Sequence, residues 1–150
     1  MLHGLRIGQL AAETGSSVET IRYYEQQELL PRPGRSEGNY RLYGEEHVSR
    51  LQFIRRCRSL DMALDEIRTL LDFRDAPRPD CGGVNELIDK HVSHVANRIE
   101  ELKLLQLQLQ TLRDQCITTR STVECAILQG LSQSDNVEIR KPATHVNGCH

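Results

Sequence analysis

Residues 19–43 read ETIRYYEQQELLPRPGRSEGNYRLY, and the order of events along them narrows the fold. The first half has helical character and ends where Pro31, Pro33 and Gly34 forbid its continuation. RSEGNYRLY then offers a Gly-Asn turn between two short segments able to pair, with Tyr40, Leu42 and Tyr43 as strand formers. Upstream, IGQLAAETG reads as a short helix with Ile7, Leu10 and Ala11 on one face and Gly15 at its end. Ser16 and Ser17 supply N-caps for the next helix, whose Val18 and Ile21, with Leu29 or Leu30, can share that core. Two short helices around a Gly-containing turn have the size of a helix-turn-helix. An Arg-rich hairpin following it has the shape of a wing that touches DNA backbone.

Charge supports this placement. The 150 residues carry a formal net charge of −2, which gives no hint of a nucleic-acid partner. Yet residues 29–58 hold seven Arg against three Glu, and residues 59–75 hold five acids against two Arg. GEEHVSRLQFIRRCRSL and ALDEIRTLLDFRD read as two amphipathic helices, with Leu51, Ile54 and Cys57 on one face and Leu64, Ile67 and Leu71 on another. Hydrophobic content is 38% with no Trp, so no large single core is expected.

APRPDCGG, with Pro77, Pro79, Gly82 and Gly83, breaks the chain. Beyond it Ile88, Val92, Val95, Ile99 and Leu102 alternate by four and three, a heptad seam. The seam steps by three to Leu105, a stammer, and resumes at Leu109, Leu112 and Cys116. Residues 83–116 predict one helix of about 50 Å, whose stripe must pair with a second copy, antiparallel or parallel. The organisation expected is mainly α: a winged helix-turn-helix domain over 5–75, a linker over 76–82, a dimerisation helix over 83–116, a loop and short helix over 117–131, and a flexible polar tail over 132–150.

CITTRSTVEC, residues 116–125, closes the helix with two cysteines around a polar loop. No run approaches the roughly 18 to 20 apolar residues of a membrane span, and the N-terminus lacks a signal-peptide core. The cytoplasm is the expected compartment, where thiols stay reduced. Five Cys, an odd number, also argue against a closed disulfide framework. Cys57 reads as a small buried apolar residue, and Cys116 alone would read as part of the seam. Cys81 in the Pro/Gly linker and Cys125 after a polar loop have no apolar neighbours to explain them, which favours thiolate ligands for a soft metal. The alternatives are packing and a Cys116–Cys125 redox pair, although a two-thiol switch does not require Cys81. No Cys–His–Asp order, Gly-rich phosphate loop or paired-carboxylate motif suggests an enzyme.

ETIRYYEQQELLPRPGRSEGNYRLYGEEHVSRLQFIRRCRSLDMALDEIRTLL, with TIRYYE, the following LLPRP and the NYRLY wing, resembles the MerR family of metal- and drug-responsive transcription regulators. The resemblance spans about residues 5 to 130. Cys81, Cys116, Cys125 and the ECAILQGL ending look like its lead- and cadmium-responsive branch. The resemblance implies a homodimer joined by an antiparallel coiled coil. It implies promoter binding and, on metal binding, a distortion of the duplex that lets RNA polymerase engage. In an antiparallel dimer Cys81 of one chain meets Cys116 and Cys125 of the other, giving two three-thiolate sites. Three sulfurs suit the pyramidal coordination of Pb(II). Hg(II) also accepts three, while Cd(II) and Zn(II) prefer a fourth ligand, for which His91 and His94 are candidates beside their reading as interface or solvated histidines. His145, Cys149 and His150 offer a looser second site.

For DNA, Thr20, Arg22 and Tyr23 lie near the N-terminal half of the recognition helix. Arg22 and Tyr23 are expected on phosphates, Glu19 or Thr20 nearer base edges, and one of Tyr23 and Tyr24 in the core. Arg35, Asn39, Tyr40 and Arg41 are the expected wing contacts, Arg55 and Arg56 add charge, and Arg32 and Arg58 read as solvated.

Overall fold

The structure is a computed structural model that describes residues 4–119 and 121–133. It divides into an N-terminal unit through Asn85 and a second unit from Glu86.

The N-terminal unit opens with α1 (Ile7–Thr14) and α2 (Val18–Gln26). Gly15 ends α1 at φ 65°, φ 65° being the left-handed region that glycine enters most readily. Ser17 starts α2, its hydroxyl accepting from the Thr20 N–H at 3.1 Å. Glu28, at φ 58°, turns the chain after α2 so that the Leu29 N–H reaches back to the Tyr24 carbonyl at 2.9 Å. The wing follows as β1 (Gly34–Arg35) and β2 (Arg41–Leu42), antiparallel, with Gly34 opposite Leu42 and Arg35 opposite Arg41. Asn39 takes the left-handed position at its tip, which an Asn side chain tolerates. Leu5 and Tyr43 exchange both backbone hydrogen bonds at 2.8 Å, tying the N-terminal segment to the wing.

Next come α3 (Glu45–Ser59) and α4 (Leu64–Asp75). Leu10, Ile21, Leu29, Tyr43, Leu51, Ile54, Ile67 and Leu71 are fully buried. Each such side chain contributes about 1.5–3 kcal/mol of burial. Cys57 is buried among them, as its position predicts.

The helix α5 (Gly82–Asp114) has 33 residues, a length of about 50 Å. It ends two residues short of the position its seam suggests. The Cys116 N–H closes a turn onto the Arg113 carbonyl at 3.3 Å, and the Arg113 guanidinium donates to the Cys116 carbonyl at 2.9 Å. Cys116 thereby leaves the helical stripe. From Ile88 to Leu109 the seam residues are 36% to 65% exposed in the single chain. A 3-10 turn (Thr122–Glu124) and α6 (Ala126–Ser132) follow it among the described residues. Among the described residues no helix is long and apolar enough to cross a membrane. The tail expected over 132–150, with His145, Cys149 and His150, lies outside the described residues from 134 onward.

Candidate DNA interface and thiol pair

The capping of α2 at Ser17 leaves Glu19 and Arg22 exposed on its outer face. Thr20 is half-buried, and its hydroxyl meets that of Ser17 at 2.8 Å, so it belongs first to the cap. Tyr24 is buried and Tyr23 half-buried, their ring centres 6.0 Å apart, so Tyr24 is the inward member.

Between α2 and the wing runs a groove of about 610 Å³, lined by Ile7, Arg22, Glu25, Gln26, Leu30, Arg32, Pro33, Arg35 and Arg41. It gathers three of the expected contacts, Arg22, Arg35 and Arg41, and adds Arg32, which the sequence suggests is merely solvated. Four guanidinium groups lining one groove concentrate positive charge there. Arg35 also donates to the Asn39 carbonyl at 3.2 Å, bracing the wing tip. Tyr40 is exposed on the outer side of the wing, with the Arg6 guanidinium 4.4 Å from its ring centre.

Glu25 stands as the one carboxylate of this groove. It accepts from Arg41 at 3.2 Å and from the Tyr43 hydroxyl. Tyr43 is fully buried, and its hydroxyl is pushed up to about 12 by burial first and then by the hydrogen bond and charge of Glu25.

Other cations are tied to backbone carbonyls. Arg55 donates to the Thr14 carbonyl and lies over Gly15, so it finishes α1 instead of adding free charge. Arg50 donates to the Leu29 carbonyl at 2.9 Å, Arg58 to Met62 at 2.8 Å and Arg68 to Gln27 at 2.6 Å. These are helix-end and loop carbonyls that would otherwise lack partners.

The structure brings Cys116 and Cys125 together. The Cys116 thiol donates to the Thr118 carbonyl at 3.3 Å and lies within hydrogen-bonding reach of the Cys125 sulfur. Cys125 precedes α6, and its thiol is held below the usual range, chiefly by the backbone N–H of Leu128, with desolvation opposing and Ile127 and Cys116 assisting. Cys81 is exposed in the N-terminal unit, immediately before α5, and accepts from the Asn85 amide at 3.6 Å. Among the described residues no three His, Cys, Asp or Glu side chains converge within one chain. Two thiols in one place are soft donors of the kind a thiophilic metal takes. His91 is buried on α5 and His94 exposed.

Residues 5–73 match the family described as MerR HTH family regulatory protein, and residues 48–112 the family described as MerR, DNA binding. The HTH-type transcriptional regulator ZntR homolog of Haemophilus influenzae is 47% identical over 114 residues, which cover 76% of this chain and 84% of the relative. The crystal structure of the transcription regulator PbrR691 from Ralstonia metallidurans CH34 in complex with lead(II) is 50% identical, with a TM-score of 0.74 over 85% of this chain and 99% of that one. The crystal structure of MerR from Bacillus megaterium MB1 in complex with mercury(II) is 33% identical, with a TM-score of 0.66 over 86% of this chain and all of the other. With a winged helix-turn-helix presenting four arginines and a long helix following it in the chain, the protein belongs to the MerR family of helix-turn-helix regulators and is a DNA-binding transcription regulator, not an enzyme.

Proposed function

We infer that this regulator is metal-responsive, binds a promoter as a homodimer, and activates transcription of a heavy-metal resistance operon when Pb(II) is bound. The observation that carries the reading is the thiol pair: Cys116 and Cys125 adjoin one another, and Cys125 is predisposed to the thiolate form that ligates metal. The 50% identical PbrR691 was solved with lead(II), which favours Pb(II) over Cd(II), Zn(II) and Hg(II). The exposed seam of α5 supports pairing with a second copy, and an antiparallel pair would deliver Cys81 of the partner to Cys116 and Cys125. A metal held by both chains changes how those chains sit together. That change acts on the winged domains, which distort the promoter so that RNA polymerase engages. Thr20, Arg22, Tyr23, Arg35, Asn39, Tyr40 and Arg41 are the proposed DNA contacts, with phosphates taken by the groove arginines.

The contact between Cys116 and Cys125 favours one other reading, a thiol redox sensor in which these two residues form a disulfide. An anaerobic titration of the reduced protein with Pb(II), Cd(II), Zn(II) and Hg(II), each against a competing chelator, separates the two. The metal reading expects a sulfur-to-metal charge-transfer band saturating at about one ion per chain, tightest for Pb(II), and lost in Cys81→Ser. Absence of any tight thiolate band, or a band indifferent to Cys81, contradicts it.

A further inference from the structure

A carboxylate in a groove meant for phosphates is electrostatically unfavourable. Glu25 nevertheless faces Arg22, Arg32, Arg35 and Arg41 there, and its side chain is only 15% exposed. Any phosphate entering the groove is repelled by it. A purely electrostatic surface would have a neutral residue at this position, so its presence calls for a geometric reason.

The hydrogen bonds supply one. Glu25 sits on α2, in the half of the recognition helix after Arg22. Its two oxygens take separate partners on the wing side: one accepts from Arg41 in β2, the other from the hydroxyl of Tyr43 just beyond it. Arg41 and Tyr43 are two residues apart in extended chain, so both side chains point to one side of the hairpin. A single carboxylate thus bridges the helix that enters the major groove and the strand that carries the wing arginines. Tyr43 is the fixed end of this bridge, fully buried and doubly hydrogen-bonded through its backbone to Leu5. Arg41 is the open end, its side chain 48% exposed.

We propose that Glu25 is a positioning residue for DNA engagement: by holding Arg41 against the buried Tyr43 it sets the spacing between recognition helix and wing, so that both meet the duplex at once. This rests on the proposed phosphate role of the wing. Glu25 itself contacts no DNA. Its contribution is preorganisation, which limits the side-chain freedom that Arg41 loses on binding. Its effect on affinity therefore has the opposite sign to that of its charge.

The test is a double-mutant cycle on the full chain, reading operator affinity across a salt series for the parent, Glu25→Ala, Arg41→Ala and the double variant, with helix content and unfolding temperature measured alongside. Arg41→Ala should weaken binding about tenfold and reduce the salt slope by about one phosphate contact. Glu25→Ala should reproduce most of that loss, although it removes a negative charge, and the double variant should bind no worse than Arg41→Ala. Should Glu25→Ala lose helix content, the equal-sized Glu25→Gln takes its place and should weaken binding about threefold. Equal or tighter binding by either Glu25 variant overturns the proposal, as do losses that simply add. An Arg41→Ala variant with unchanged affinity and slope would remove the wing contact itself, overturning the phosphate reading and the proposal with it.

Discussion

Placing a charge in the seam of α5 should separate the dimer, and Ile99→Asp is the substitution to make. Ile99 is 47% exposed in the single chain, so about half of its side-chain surface remains for a partner to bury. Full burial of an Ile is worth roughly 1.5–3 kcal/mol, which leaves about 0.7–1.5 kcal/mol per copy at the interface. Symmetry doubles this to roughly 1.5–3 kcal/mol per dimer. A desolvated carboxylate in each chain adds about another 2 kcal/mol. The sum, on the order of 4 kcal/mol, is about a thousandfold in the dimer dissociation constant. Sedimentation equilibrium over a concentration series reads this directly. Leu104→Asp is the matched control, because Leu104 is also exposed but lies about 200° around the helix from Leu102. An Ile99→Asp variant that dimerises like the parent, or a Leu104→Asp variant equally impaired, would refute the assignment of the seam.

Two further outcomes follow from the N-terminal unit. Gly15→Ala should destabilise it by about 1–2 kcal/mol and lower the unfolding temperature by roughly 5–10 °C, since Gly15 is left-handed and an added Cβ would stand 2.6 Å from the Arg55 guanidinium; calorimetry on both proteins checks it, and an unchanged midpoint contradicts the turn geometry. The Tyr43 hydroxyl, raised from 10.0 to about 12, keeps its proton in the folded chain while the unfolded chain has lost it, so its contribution is full below pH 10 and disappears as pH rises through 12. Denaturant unfolding between pH 9 and 12 should therefore show an alkaline loss on the order of 2–3 kcal/mol that Tyr43→Phe flattens, and equal pH slopes in the two proteins would contradict the burial of this hydroxyl against Glu25.

The elements visible in the sequence are those specified by local chemistry. Gly15 ends α1 and Ser17 caps α2 because a left-handed glycine and an N-cap serine act on their own turn. The wing follows from prolines that stop a helix and a turn that starts a hairpin. The seam of α5 is legible because its period is independent of what covers it. The roles of individual cations are not legible in this way. Arg55 and Arg50 belong to the basic block, yet each donates to a carbonyl contributed by a distant segment, 41 residues away for Arg55 and 21 for Arg50. Conversely Arg32, an apparently solvated charge, lines the groove beside Leu30 and Pro33. Glu25 gave no signal in a helix already rich in polar residues, since its partners lie 16 and 18 positions on. The departure of Cys116 from its stripe rests on Arg113 reaching its carbonyl, a contact that heptad counting does not contain.

The central claim, a metal site completed across two chains, is tested most directly by mixing disabled partners. Cys81→Ser homodimers and Cys116→Ser/Cys125→Ser homodimers should each lack the tight Pb(II) charge-transfer band. Heterodimers assembled from the two, isolated by differential tagging and titrated anaerobically, contain one complete set if the thiols are shared between chains. The account predicts recovery of one Pb(II) per heterodimer at parental affinity, half the capacity of the unaltered dimer. A heterodimer that binds no tighter than its two parents would contradict the shared site.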